Sequence, residues 1–308
     1  MIVRRCLLAL TVAAAVLPAA TRADTQLAAN GDCVSAHAGA VSWVASPEDS
    51  ATLTVLQGGA TSMPPVTGTN PCAQLGPRGG AIVAYTQRCN RRAGADASPV
   101  ACTPLAVPLG GGATQTLHLH NLHAGSGTRI FGWNGLLAYV GNTRWWLRPA
   151  HGAEVGMPGG LNTVVGDLRG TTVAYLGQTQ GPADGNPYGP PETSTVTLRF
   201  GMHHPHTCTV ASATWVRGAQ PSGSILLAPR LDGAYVYWVD SDQAARTDVL
   251  RRAHAACGGP PVQTASASLP FGTNSFDVAG GTLFYSSSSL GVAPATDGVW
   301  RADPLTFA

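Results

Sequence analysis

One short pattern recurs along this chain. A glycine is followed by a brief run of β-branched or aromatic residues, with an aromatic ring four or five positions after the glycine. Gly39 opens AVSWVAS, Gly80 opens AIVAYTQ, Gly135 opens LLAYVGN, Gly170 opens TTVAYLG, Gly233 opens AYVYWVD and Gly281 opens TLFYSSS. The rings are Trp43, Tyr85, Tyr139, Tyr175, Tyr237 with Trp238, and Tyr285. Successive glycines lie 41, 55, 35, 63 and 48 residues apart. Each unit reads as a tight turn feeding a strand. A period in the forties made of short strands marks small sheets that cannot bury their own faces and must stack on neighbours. The pattern predicts an all-β fold: a six-bladed β-propeller of four-stranded antiparallel blades.

Strands lettered A to D run outward from the axis of such a ring. In the last unit, residues 275–278, 282–286 and 298–302 supply A, B and C, and little chain is left after them. The ring is therefore expected to close by borrowing a strand near residues 25–29, which leaves no open edge. The recurring ring on strand B is read as packing between blades, because alternation along a strand keeps it on one buried face. The A–B turns are short. The B–C connections at 88–98, 178–192, 240–247 and 286–297 are longer and turn-rich, and all emerge at one end. Elaborated loops on a rigid scaffold are a usual place for function.

All 18 basic residues are arginine. Without lysine there is no Schiff-base chemistry and no P-loop. Residues 1–23 read as a secretory signal: Arg4 and Arg5, an apolar run over 7–16, and Thr21-Arg22-Ala23 before a cut at Asp24. Arg4-Arg5 also makes a partial twin-arginine pattern. Residues 24–308 are then a single propeller domain, secreted or held in the cell envelope, with no later segment apolar enough to span a membrane. Cleavage leaves 15 arginines against 16 carboxylates, which gives no electrostatic footprint for nucleic acid. A monomer is expected.

Beyond Cys6, six cysteines remain, with 15 possible pairings. Sequential pairing is favoured. Cys89 and Cys102 flank an Arg- and Gly-rich loop and can clip its base; Cys33–Cys72 and Cys208–Cys257 follow partly by elimination.

The run Tyr237-Trp238-Val239-Asp240, with Val249-Leu250-Arg251-Arg252-Ala253 behind it, resembles one repeat of the YWTD-type propellers. Asp167-Leu168-Arg169-Gly170 and Val299-Trp300-Arg301-Ala302-Asp303 resemble the TolB-like repeats of exported bacterial proteins. Val239 departs from the threonine of the first family. The resemblance implies six blades and no particular activity.

Two histidine clusters invite a metal reading: His118, His120 and His123, and His203, His204 and His206. Neither shows a completing carboxylate or cysteine in sequence, and no metal or cofactor is expected. Asp167, Asp232 and Asp277 recur just before A–B turns, which suits hydrogen bonding at strand ends rather than catalysis. Asp184, Glu192, Asp240 and Asp242 break the repeat and sit on the long loops. Nucleophile motifs such as GxSxG, HExxH and SxxK are absent. The sequence thus favours a binding module that contacts a protein or glycan through Arg88, Arg91, Arg92, Tyr188, Asp240 and Arg246 on the B–C loop face. The competing reading is a polysaccharide hydrolase or lyase using carboxylates such as Asp240 and Glu192 at the channel mouth. A purely structural module is a third.

Overall fold

The structure, a computed structural model, describes residues 24–45, 51–64, 66–68, 72–91, 99–122, 129–141, 144–157, 163–179, 192–202, 205–216, 222–266, 268–288, 297–302 and 306–307. The leader expected over 1–23 lies outside them. So do Arg92, Tyr188, Asp184, His123, His203 and His204.

Every regular element among the described residues is a strand. β1 (Thr25–Ala28) precedes an antiparallel meander of β2 (Asp32–His37), β3 (Ala40–Ala45), β4 (Ala51–Gln57) and β5 (Ala60–Ser62), with β6 (Thr67–Gly68) also on β4. A second sheet holds β7 (Gln74–Arg78), β8 (Ala81–Arg91), β9 (Pro99–Pro108) and β10 (Gln115–Thr116). A third holds β11 (Ile130–Trp133), β12 (Leu136–Val140), β13 (Trp145–Arg148) and β14 (Val155–Gly156). Next come β15 (Thr163–Arg169), β16 (Thr172–Gln178), β17 (Glu192–Phe200) and β18 (His206–Val216). They run on through β19 (Ser222–Leu226) to β20 (Arg230–Asp232), β21 (Tyr235–Asp242), β22 (Thr247–His254) and β23 (Gln263–Thr264). Finally β24 (Thr273–Ala279), β25 (Thr282–Ser287) and β26 (Gly298–Arg301) take β1 as their fourth strand.

The fold is a β-propeller of four-stranded antiparallel blades, but six separate blades are not what forms. Four sheets stand alone, and β15 to β23 make one nine-stranded sheet. The cause is β19. It pairs with β18 through Trp215↔Gly223 and Val216↔Ser222, and with β21 through Ser224↔Asp242, Ile225↔Ser241 and Leu226↔Asp240. Gly223 makes the approach possible, since a Cβ there would run into the Thr214 carbonyl. The repeat count sees the two A–B hairpins within this sheet, β15–β16 and β20–β21; it cannot see the strand that joins them.

All six turn glycines fall between an A and a B strand, with φ from 56° to 93°. The A strands β2, β7, β11, β15, β20 and β24 neighbour one another in that order, and β24 returns to β2. They line the axis. Core clusters straddle successive hairpins: Val83 and Tyr85 meet Ile130, Leu137 and Tyr139, and Tyr237 and Leu250 meet Phe276 and Tyr285. Tyr85 and Tyr139 are fully buried, so the repeated ring is core. Burying an apolar side chain of these clusters, such as Leu137 or Phe276, stabilises the fold by about 1.5–3 kcal/mol. Tyr175 is only half-buried and rests on Trp145 at 5.2 Å. Across the first and last hairpins, Val34, Val41 and Trp43 pack on Phe284 and Val299. There β1 completes the closure, Thr25 opposite Arg301 and Gln26 opposite Trp300.

Three disulfides are present: Cys33–Cys72, Cys89–Cys102 and Cys208–Cys257, the sequential connectivity. Such bonds persist in oxidising, extracytoplasmic surroundings. No helix among the described residues is long and apolar enough to cross a membrane.

Candidate binding site at the channel mouth

Three of the A strands carry an aspartate near their turn end. Asp167 on β15 accepts from the Leu231 N–H of β20 at 2.8 Å. Asp232 at the end of β20 accepts from Gly280 and Gly281 in the turn after β24, at 3.2 and 2.7 Å. Asp277 on β24 accepts from the Ser35 hydroxyl and the Ala36 N–H of β2, at 3.1 and 2.8 Å. Each aspartate thus fastens its own A strand to the next one. The recurring acid is a strand-end hydrogen-bonder, as its periodicity suggests, and here the bond crosses between hairpins.

Arginines neutralise this ring. Arg169 bridges Asp167 and Asp232 at 3.5 and 3.1 Å at the A–B turn end. His37 lies beside that cluster, edge-on to Trp133 at 5.4 Å. Burial, then Arg169, lowers its pKa, so it is neutral at pH 7. Arg230 lies deeper, only 2% exposed. Its Nε donates to the Phe276 carbonyl at 2.8 Å and its Nη1 to the carbonyls of Gly166 and Pro229. Its guanidinium carbon stands 5.8 Å from the ring centres of both Phe131 and Phe276. Asp277 is 3.9 Å away. Burial pushes the Asp277 carboxyl up to about 6, against the pull of Arg230.

Local sequence explains how Arg230 gets there. Gly166 is the extra residue of a bulge between Val165 and Asp167, which turns its carbonyl away from the ladder. A side chain at Gly166 would collide with Pro229, so only glycine lets the Pro229-Arg230 segment close in. A similar bulge in β24 makes Asn274 the extra residue and leaves it exposed.

Arg230 and the exposed Asn274 bulge border a cavity of about 360 Å³ at the end where A strands begin and B strands finish, opposite the Arg169 cluster. Arg129, Arg230, Asn274 and Ser275 supply its polar lining. Arg129, just before β11, makes no hydrogen bond or ion pair with any described residue. Burial and the neighbouring Arg230 bring its pKa down to about 10, so it remains a cation at neutral pH. Asp32 at the start of β2 already accepts from Cys33 N–H and from the hydroxyls of Ser275 and Ser286 through one oxygen.

The residues singled out in sequence lie elsewhere. Arg88 is exposed on β8 beside Cys89, and Arg246 is exposed in the β21–β22 turn at φ 55°. Arg91 ends β8 opposite Pro99. Asp240 is held by Arg251 at 2.7 Å. Neither Asp240 nor Glu192 lines the mouth cavity. His118 and His206 are exposed, His206 stacking on Phe200 at 4.9 Å. Glu154 does reach this first histidine cluster, but it accepts from the His120 backbone and Asn121. Among the described residues no group of three His, Cys, Asp or Glu could hold a metal ion. Arg129 and Arg230 escaped the sequence reading, although each opens or directly precedes an A strand, the strand that lines the axis.

No family model matches the chain, and no curated protein does. The YWTD likeness therefore stays that of one repeat. Among solved structures, the β-propeller domain of the Trilobed protease from Pyrococcus furiosus is similar at 9% identity and a TM-score of 0.51, covering 92% of this chain and 96% of that one. An acylaminoacyl peptidase from Pyrococcus horikoshii is similar at 11% identity and a TM-score of 0.50 over 91% of this chain. The chain spans about half of that peptidase, 52% of its length. At such identity the likeness reaches as far as the fold, and the fold it supports is a β-propeller.

Proposed function

We propose that this protein is an extracytoplasmic binding propeller, secreted or held in the cell envelope. Its protein or glycan partner is engaged at the end from which the B–C connections emerge, with the mouth cavity at the centre of the contact. The observation that carries this reading is the cavity between Arg129 and Arg230, concave and part apolar, as binding pockets are. The hydrolase reading needs a pair of carboxylates free to work across a bond. Of the described acids on the A strands, Asp277 and Asp167 are each held by backbone N–H groups; Asp240, on the B strand β21, is paired with Arg251. On these grounds we propose binding rather than hydrolysis.

The test is a thermal-shift and calorimetric screen of the intact protein against peptides, oligosaccharides and cell-wall fragments. Arg129→Gln, Arg88→Ala and Arg246→Ala serve as variants. Ligands found should lose affinity in Arg129→Gln and in at least one loop variant. Turnover of an oligosaccharide, abolished in Asp240→Asn or Glu192→Gln, would instead establish the hydrolase.

A further inference from the structure

The chemistry of the mouth cavity says more than that something binds there. Arg230 is immobilised before any ligand arrives: three backbone carbonyls fix its guanidinium and two phenyl rings flank it. Arg129 is the opposite case: it faces the same space and makes no hydrogen bond or close ion pair with any described residue, feeling Asp32 and Asp277 only at longer range. An immobile and an unspent guanidinium on one pocket are a receptor for an anion. Two acids stand behind them. Asp277 is taken up by Ser35, Ala36 and Val278, and Asp32 by Cys33, Ser275 and Ser286. Both act on Arg129 electrostatically without a hydrogen bond to it, and two carboxylates this near the two guanidinium groups suit the site to a single negative charge better than to a phosphate dianion.

The remaining wall is aliphatic. Val140, Val164, Val165 and Leu227 line it, with the Phe276 ring behind. Such a wall rewards a hydrocarbon side chain and leaves the hydroxyls of a sugar unpaired. Asn274, exposed at its bulge, adds an amide to the rim, while the Ser275 hydroxyl is already engaged with Asp32 and the Val34 N–H. The volume, about 360 Å³, is near the lower end for ligand pockets, room for a chain end rather than a folded surface.

From this we infer that the mouth cavity binds the terminal carboxylate of a peptide whose last residue is apolar, with Arg129 and Arg230 on the carboxylate and the valine–leucine wall on the side chain. The inference rests on the binding function proposed above and names its ligand.

Isothermal calorimetry on the intact protein tests it with N-acetyl-Ala-Leu as free acid and as C-terminal amide. The acid should bind about ten- to a hundredfold more tightly than the amide, the range expected for charge-assisted hydrogen bonds. Arg129→Gln should remove that preference and Arg129→Lys restore part of it. Because the acid–amide comparison uses the wild-type protein, it stands even if a variant folds poorly. Isovalerate binding as tightly as the peptide would assign the cavity to free organic acids and overturn the inference. Glucuronate displacing the peptide would overturn it in favour of acidic glycans. Equal binding of acid and amide overturns it while leaving a binding face intact. Failure of every probe, with Arg129→Gln also silent in the wider screen, removes both.

Discussion

Tyr85 occupies the space that a side chain at Gly132 would need. A Cβ at that glycine would sit inside the ring, and one at Gly76 on the adjacent A strand would strike the Gly132 carbonyl. Gly132→Ala must therefore displace a fully buried ring, and overpacking of this kind costs about 1–3 kcal/mol or more. Urea denaturation should show the loss, with a smaller one for Gly170→Ala, where nothing lies within 4 Å but the φ of 58° is strained. Asp277 gives a second prediction. Its pKa is raised, so the native state holds the proton more tightly than the unfolded chain. The stability it contributes is complete below the ordinary carboxylate range and is lost as pH rises through about 6. Urea midpoints at pH 4, 5, 6 and 7 should decline for this group and flatten in Asp277→Asn. Sequence alone exposed the periodic aspartates because periodicity is a one-dimensional signal. Arg129 and Arg230 come to one cavity only when β11 and β20 are set on either side of β15, and nothing in their flanking residues encodes that neighbourhood.

The hairpins were the most legible elements. A glycine in left-handed backbone followed by alternating apolar residues dictates a turn and a strand locally, and all six are found. What joins hairpin to hairpin was not legible, because pairing between β18, β19 and β21 depends on lengths and on one permissive glycine, Gly223. Two predictions concern these joints. Cys208–Cys257 ties β18 to the segment after β22 across 49 residues, against 13 for Cys89–Cys102. On the chain-entropy account, replacing the first pair by alanine costs about 4 kcal/mol and the second about 3 kcal/mol. Thermal melts of the two double variants should rank in that order. Deleting residues 24–28 removes β1, the Tyr285 hydroxyl's bond to Asp24 at 2.6 Å, and the cover of β26. Size-exclusion chromatography should then show self-association through the bared edge, together with a lowered melting temperature.

At the scale of the whole molecule, the joints between neighbouring hairpins are of two kinds. Most are side-chain contacts and single hydrogen bonds, such as the aspartate clasps around the axis. One, through β19, is a continuous backbone ladder. A ring that dilates must part somewhere, and a ladder yields only when several backbone hydrogen bonds rupture together. The seam through β19 is the rivet of the assembly. Any sideways gap wide enough to admit a bulky guest has to open among the other seams, and amide deuteration would find Ile225 and Ser241 among the last to exchange.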